Sequence, residues 1–291
     1  MMGKVDVLEI GNLIAIGGTS EVFEYGDKII KLYFDNYLKE NVKHEYQKTM
    51  SAFSLGLPVP KIYDMIQVNG RYGLVFERIN GCTLNDKLFK QCAYNFKNDI
   101  VDKKILEAVI ECIKATAYVL AEVHKIKASF PNTAEDALLY SAIHNNYLNE
   151  NEKEQIVKII HTLPKGDTVC HGDPNPNNIM VAGNKYLLID WVDCVTGDPA
   201  YDVAEVIIMY RYNNIRHESK TKTDFYVLSI IDLAIETFIN EYQRITKTDM
   251  TNIDKWILPK LTTQLTGSNS DEYKIKISKE IRRLLNLNSS N

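Results

Sequence analysis

"VCHGDPNPNNIM" (residues 169–180) sets three asparagines, two prolines, an aspartate and a histidine between apolar ends. The flanking segments "TVC" and "IMV" read as buried strand. A turn between two strands needs only one or two such residues. This one carries an acid, Asp173, and an amide, Asn178, five residues apart, and Asp190 follows twelve residues later at the end of "YLLID". With apolar strands on both sides, the polar groups are expected to gather at the strands' shared end. A strand-end carboxylate and an amide in the adjoining loop supply oxygen ligands, as Mg²⁺ prefers. Asp173 is then a second carboxylate near the metal, suited to orient a hydroxyl and accept its proton. An Asx-rich turn capping its own backbone accounts for Asn175 and Asn177. It accounts poorly for Asp190, because a carboxylate after a buried strand must find a partner.

Around this loop the chain has 291 residues, 45% hydrophobic and 25% charged. That length predicts two domains or two lobes of one larger fold. Net charge is −4, and residues 164–210, which contain the loop, sum to −5. Such a block binds a divalent cation or a cationic substrate, or is a solvated acidic surface. No basic stripe points to nucleic acid. Five cysteines (Cys82, Cys92, Cys112, Cys170 and Cys194) lack any CxxC spacing, which argues against a disulfide framework or metal cluster. The N-terminus "MMGKVDVLEIGNLIAIGG" lacks the apolar run of a signal peptide, and no stretch approaches a membrane span of about 18 apolar residues. A reduced, cytoplasmic protein with no membrane partner is expected.

The first hundred residues read as strands around one helix. "LIAIGG" and "EVFEY" flank a turn at Gly17, Gly18, Thr19 and Ser20, and "KIIKLYF" follows Gly26-Asp27. Residues 38–55 read as a helix ended by "GLPVP". "KIYDMIQV" and "YGLVFERI" form a hairpin around Asn69-Gly70. The expectation is five antiparallel strands with one helix after the third. From about residue 83 the pattern turns helical. Ile105, Val109, Cys112, Thr116, Val119 and Val123 predict one long core-facing helix. Further helices are expected over 134–148, 150–162 and much of 200–291, punctuated by Pro259 and Gly267. Short strands are expected at "TVC", "NIMVA" and "KYLLID".

Two weaker signals sit in the strand-rich part. Paired glycines in a turn let backbone N–H groups approach a phosphate without Cβ interference, although plain hairpins use the same residues. Lys31 lies inside the apolar strand "IIKLY", on a face shared with Ile29 and Tyr33. It points to solvent or to a buried anion. Glu45, fourteen residues on, is placed to pair with it.

"HGDPNPNNIM" followed by "LLIDW" resembles the catalytic loop and metal-binding aspartate of the aminoglycoside phosphotransferase family, a branch of the protein-kinase-like fold that includes choline kinases. "GDPAYDVAEV" (197–206) matches a further segment of that family, and matching elements run in family order from about residue 12 to 210. The resemblance implies an α+β two-lobe fold. Residues 1–80 would be a β-rich nucleotide-binding lobe with a five-stranded antiparallel sheet and one helix. Residues 81–291 would be a larger helical lobe with the catalytic loop and acceptor pocket. It implies Gly17, Gly18 and Ser20 over the nucleotide phosphates, and Lys31 on them with Glu45 orienting it. Phe76 would back the purine pocket, with Glu77, Arg78 and Ile79 at the hinge. Asp173 would be the catalytic base, Asn178 and Asp190 the Mg²⁺ ligands, and His171 and Asp202 structural supports of the loop. ATP or GTP would be the donor and a small hydroxyl compound the acceptor. Only eleven residues separate Asp190 from Asp202, too few for an activation segment that docks a polypeptide, so no protein substrate is expected. An antibiotic, a metabolite such as choline, ethanolamine or a sugar, and a turnover-free nucleotide binder all fit these residues. Among acceptor-side acids, Glu205, Asp232 and Glu236 are candidates to meet a cationic acceptor.

Overall fold

The computed structural model describes residues 3–4, 10–92, 103–212, 222–267 and 269–288. They form two compact units, 1–84 with 177–193, and 85–176 with 194–291.

The first unit is built on a six-stranded sheet. In chain order its strands are β1 (Gly3–Lys4), β2 (Leu13–Ile16), β3 (Ser20–Tyr25), β4 (Lys28–Tyr33), β5 (Ile62–Val68) and β6 (Arg71–Glu77). The spatial order is β1-β5-β6-β4-β3-β2. The five longer strands are antiparallel, as their turn signals predict. The two-residue β1 adds itself in parallel to β5 and had no signal of its own. Asn69 and Gly70 both take positive φ, 48° and 88°, the conformation a two-residue hairpin turn demands. Helix α1 (Lys39–Ser54) buries Val42, Glu45, Thr49 and Ala52, one helical stripe, and Gly56 at φ 74° ends it.

The sheet is apolar on both faces. Ile30, Leu32, Ile66, Val68 and Val75 form one cluster, and Tyr33, Val42, Ile62 and Leu74 the other, which includes α1. Ile62 and Ile66 would share a face under strict alternation. A register shift between Ile62 and Asp64 separates them. A second, three-stranded sheet in this unit pairs β7 (Cys82–Thr83) with β9 (Ile179–Ala182), and β9 with β10 (Lys185–Leu188).

The second unit holds α2 (Leu84–Cys92), α3 (Lys103–Val123), α4 (Ala134–Ile143), α5 (Glu150–Ile160), α6 (Ala200–Tyr212), α7 (Lys222–Thr246), α8 (Asp254–Leu261), α9 (Thr263–Thr266) and α10 (Asp271–Asn288). A two-stranded ladder joins β8 (Thr168–Cys170) to β11 (Val195–Gly197). On α3, Cys112, Thr116, Val119 and Val123 are buried as the periodicity requires. The side chains of Ile105 and Cys92 lie outside the described residues. Helix α4 stops earlier than expected because buried Asn145 ends it. Its amide donates to the Ser141 and Ala142 carbonyls, and its oxygen accepts from the Tyr147 and Leu148 N–H groups. Pro259 lies inside α8 instead of ending it, where burial of Trp256, Ile257, Leu258 and Leu261 favours the helix despite the lost N–H. No helix among the described residues is long and apolar enough to cross a membrane.

The strands flanking the opening loop do not share a ladder. β8 pairs with β11 in the second unit, whereas β9 pairs with β10 and β7 in the first. The loop crosses from one unit to the other between Pro176 and Asn177. Alternation and apolarity identify strands but carry no information about which strands pair.

Gly81 lies against β9, and a Cβ there would stand 2.1 Å from the Val181 carbonyl oxygen. Backbone cannot yield as a side chain can, so Gly81→Ala should destabilise by about 1–3 kcal/mol. A urea unfolding midpoint unchanged from the wild type would contradict this packing.

Candidate active site

The ladder β9–β10 brings two predicted metal ligands to one place. Leu188 pairs with Ile179, so Asn178, just before β9, and Asp190, just after β10, flank the same end. The Asn178 carbonyl accepts the Ile189 N–H at 2.9 Å, which extends the pairing to that end. Asp190 itself has φ 66°, a left-handed conformation that costs a non-glycine residue about 1–2 kcal/mol. Such strain persists where surrounding contacts over-determine it. Here the Trp191 indole is fully buried and donates to the Leu188 carbonyl at 2.9 Å, and Lys48 donates to the Val192 carbonyl at 2.6 Å.

Lys31 reaches this end from β4. Its ammonium lies 2.7 Å from Glu45 Oε1 and 3.1 Å from Asp190 Oδ1. Glu45 comes from the buried stripe of α1, and its other oxygen accepts the Tyr33 hydroxyl. Tyr33 stacks on Tyr37 with centroids 4.7 Å apart. Burial alone would depress the Lys31 pKa, but the Glu45 and Asp190 carboxylates outweigh it and hold it above its ordinary value. Burial likewise raises Glu45, with Lys31 opposing. The result is a fixed ammonium between two carboxylates, one deeply buried and one 40% exposed.

The remaining residues expected around a nucleotide lie in the same unit. Gly17 donates its N–H to the Ser20 carbonyl at 2.8 Å, closing the turn between β2 and β3. No atom lies within 4 Å of the point where a Cβ on Gly18 would stand, so packing does not demand a glycine there. Phe76 packs with the Tyr33 and Leu74 cluster at the end of β6. Glu77 is exposed and accepts the Lys61 N–H at 3.3 Å, while Arg78 pairs with Glu24 at 2.8 Å and Ile79 is half-buried.

The second unit holds the first part of the loop. Asp202, in the first turn of α6, is fully buried. Its Oδ2 accepts the His171 N–H at 2.7 Å and its Oδ1 the Gly172 N–H at 2.8 Å. His124 Nε2 lies 3.1 Å from Oδ2, so that nitrogen carries a proton, and Nδ1 lies 2.6 Å from the Tyr242 hydroxyl. Burial pushes the Asp202 pKa up, but the hydrogen bond from His124, its charge and the loop N–H hold it below its ordinary value. The buried His171 ring takes the Asp173 N–H on Nδ1 at 3.3 Å. Asn175 donates its amide to both oxygens of Asp173, each at 2.9 Å, turning the carboxylate.

His124, Cys170 and Asp202 place ligand atoms within 4.8 Å of one another. The Asp202 oxygens are occupied by N–H donors, and burial with the nearby Asp202 charge keeps the Cys170 thiol protonated. The cluster holds the loop and is a poor ion site.

Lys31, Glu45 and Asp190 thus converge in one unit, and His171, Asp173 and Asp202 in the other. Sequence reasoning missed Tyr33, Asn175, His124 and Tyr242.

One unit thus holds a buried lysine–carboxylate pair beside a strand-end aspartate, and the other a His-Gly-Asp loop tied to a buried acid. Residues 17–222 match the phosphotransferase enzyme family, and the chain belongs to that family. By class it is a small-molecule kinase, an enzyme that transfers phosphate to an alcohol group. No curated protein matches it in sequence. Among solved structures it resembles a thermostable mutant of aminoglycoside phosphotransferase APH(4)-Ia in ternary complex with ADP and hygromycin B, at 14% identity and TM-score 0.60, covering 95% of this chain and 94% of that one. Choline kinase LicA from Streptococcus pneumoniae is similar at 15% identity and TM-score 0.58, covering 97% and 95%. The streptomycin–ATP–APH(2")-IIa ternary complex is similar at 16% and 0.56, covering 94% and 91%. At these identities the likeness is one of fold.

The depressed Asp202 value sets a pH prediction. A carboxyl held below its unfolded value, about 3.9, stabilises the fold above that pH and ceases to as pH falls through its folded value. The stability advantage of the wild type over Asp202→Asn should therefore be full at about pH 7 and shrink by about pH 3. Urea midpoints at the two pH values measure it, and a gap that stays constant in acid would show that the charge contributes nothing.

Proposed function

We propose that this chain transfers the γ-phosphate of ATP or GTP to a hydroxyl of a small molecule, with Asp173 as catalytic base. The observation that carries the reading is the Lys31 ammonium fixed between Glu45 and Asp190. A buried lysine held this way presents one defined positive charge to a phosphate group. The open position at Gly18 supports a backbone approach to the same phosphates through Gly17, Gly18 and Ser20. Phe76, Glu77 and Ile79 follow as the purine end, in a nucleotide-binding lobe of residues 1–80. Residues 81–291 would then carry the catalytic loop and the acceptor pocket.

Asn178 and Asp190 fit a magnesium ion. They offer an amide oxygen and a partly exposed carboxylate at one end of a ladder, the hard oxygen donors that ion takes. When bound, it would neutralise phosphate charge. Asp173, oriented by Asn175 and the His171 ring, aligns the acceptor hydroxyl and takes its proton as the new bond to phosphorus forms. Positioning and charge neutralisation supply most of the acceleration in such transfers.

An antibiotic and a metabolite such as an amino alcohol or sugar both suit this chemistry. Two observations favour the metabolite. Residues 211–291 carry a net charge of +3. Of the three acids considered for a polycation, Glu205 is already taken by Lys260 at 3.2 Å. The cysteine usage supports action in a reducing cytoplasm.

Nucleoside-diphosphate release measured with hygromycin B, streptomycin, choline, ethanolamine and sugars tests the reading. Asp173→Ala should lower turnover by about 10²–10⁴-fold while nucleotide affinity stays within about twofold. Retained turnover in a folded Asp173→Ala enzyme would sink the base assignment. Lys31→Met should act differently, weakening nucleotide binding, which titration calorimetry reads directly. Chelation of divalent cations should abolish transfer and added Mg²⁺ restore it.

A further inference from the structure

Lys260 is 1% exposed and belongs to none of the roles described so far. Burying an ammonium is expensive unless every side of it is satisfied. Here three groups do so. Glu205 on α6 lies 3.2 Å from Nζ, and the Tyr201 ring centroid lies 3.5 Å below it. The third partner is the carbonyl oxygen of Gly172, at 3.3 Å, 88 residues away in sequence. Glu205 is itself held by the Gln264 amide at 3.1 Å. Burial opposes the charge, but Tyr201, Glu205 and Asp202 keep the ammonium protonated.

The Gly172 carbonyl belongs to the peptide that leads into Asp173. Gly172 has φ 92°, a conformation that glycine alone enters freely and leaves as freely. Asp202 holds Gly172's own N–H, and nothing in that contact fixes the peptide after this residue. The far side of that peptide, the Asp173 N–H, meets the His171 ring at 3.3 Å, so Lys260 and His171 hold its two sides. Rotation of this one peptide would swing the Asp173 carboxylate away from its place. A simple core ion pair between Lys260 and Glu205 would leave the carbonyl contact without a purpose.

We propose that Lys260 is a positioning residue that locks the Gly172–Asp173 peptide and thereby aims the Asp173 carboxylate. The inference rests on the reading of Asp173 as the base. A misplacement of about 1 Å at a reacting group costs up to about 10²-fold in rate, so a lost lock should appear in kcat.

Lys260→Met alone strands the Glu205 carboxylate in the core, so the decisive variant is Lys260→Met combined with Glu205→Gln. Expected for this double variant is an unfolding midpoint near that of the wild type and an unchanged nucleotide KM. Its kcat should fall by about 10- to 100-fold with whichever of hygromycin B, streptomycin, choline or water accepts phosphate from Mg·ATP. Hydrogen–deuterium exchange of residues 170–176 should quicken by about tenfold, with α3 and α6 unchanged. Unchanged kcat and exchange, an equal loss in nucleotide KM, or a double variant that does not fold would each overturn the inference, the last by making Lys260 a folding residue. A wild type that transfers phosphate neither to these four nor to ethanolamine or the sugars would refute the proposed function instead, while the exchange rates would still read the lock.

Discussion

One buried carboxylate governs the His171–Gly172 loop. Asp202 accepts two successive backbone N–H groups and faces a histidine, in a place from which water is excluded. Each donor left without it would cost about 1–3 kcal/mol. The acid cannot leave the core without stranding His171, Gly172 and His124 together. That mutual dependence holds the His171 and Gly172 N–H groups in one place. It also explains why so short an element tolerates two prolines and a left-handed glycine.

The first unit solves the opposite problem. Its sheet is apolar on both faces, yet it must hold a lysine, and the lysine must remain charged. Glu45 is the answer from the helix side, and Tyr33 satisfies the carboxylate oxygen that Lys31 does not use. A buried ion pair of this kind is a weak source of stability. What it provides is a charge at a defined point on a stiff scaffold. Asp190, strained and partly exposed, takes the remaining side of the ammonium.

Much of this was legible from residues alone. Lys31 and Asp190 stood out because each is a charge at or inside an apolar strand, and such a charge must be answered somewhere. Glu45 followed as the acid fourteen residues on, in the expected helix, that could pair with Lys31. Asn69-Gly70 dictated its hairpin. Strand pairing was not legible: "TVC" and "NIMVA" read alike, yet they belong to different ladders. His124 and Tyr242 were silent because their meaning lies in Asp202, 78 residues from His124. A histidine at the end of an amphipathic helix has nothing in its neighbourhood to mark it. Asn145 shows the same limit for helix ends, since its four hydrogen bonds form only in the buried turn.

The discontinuity of the first unit has a consequence for how the chain is made. Its opening 84 residues leave the ribosome long before residues 177–193, which complete it. Until then β7 has no ladder, and Lys31 has one carboxylate partner in place of two. The intervening segment, with β8 and its loop, must be synthesised before either unit is whole. Non-local pairing of this kind slows folding and rewards chaperoned synthesis. A nascent chain arrested before residue 177 would have a sheet and a lysine but neither Asn178 nor Asp190.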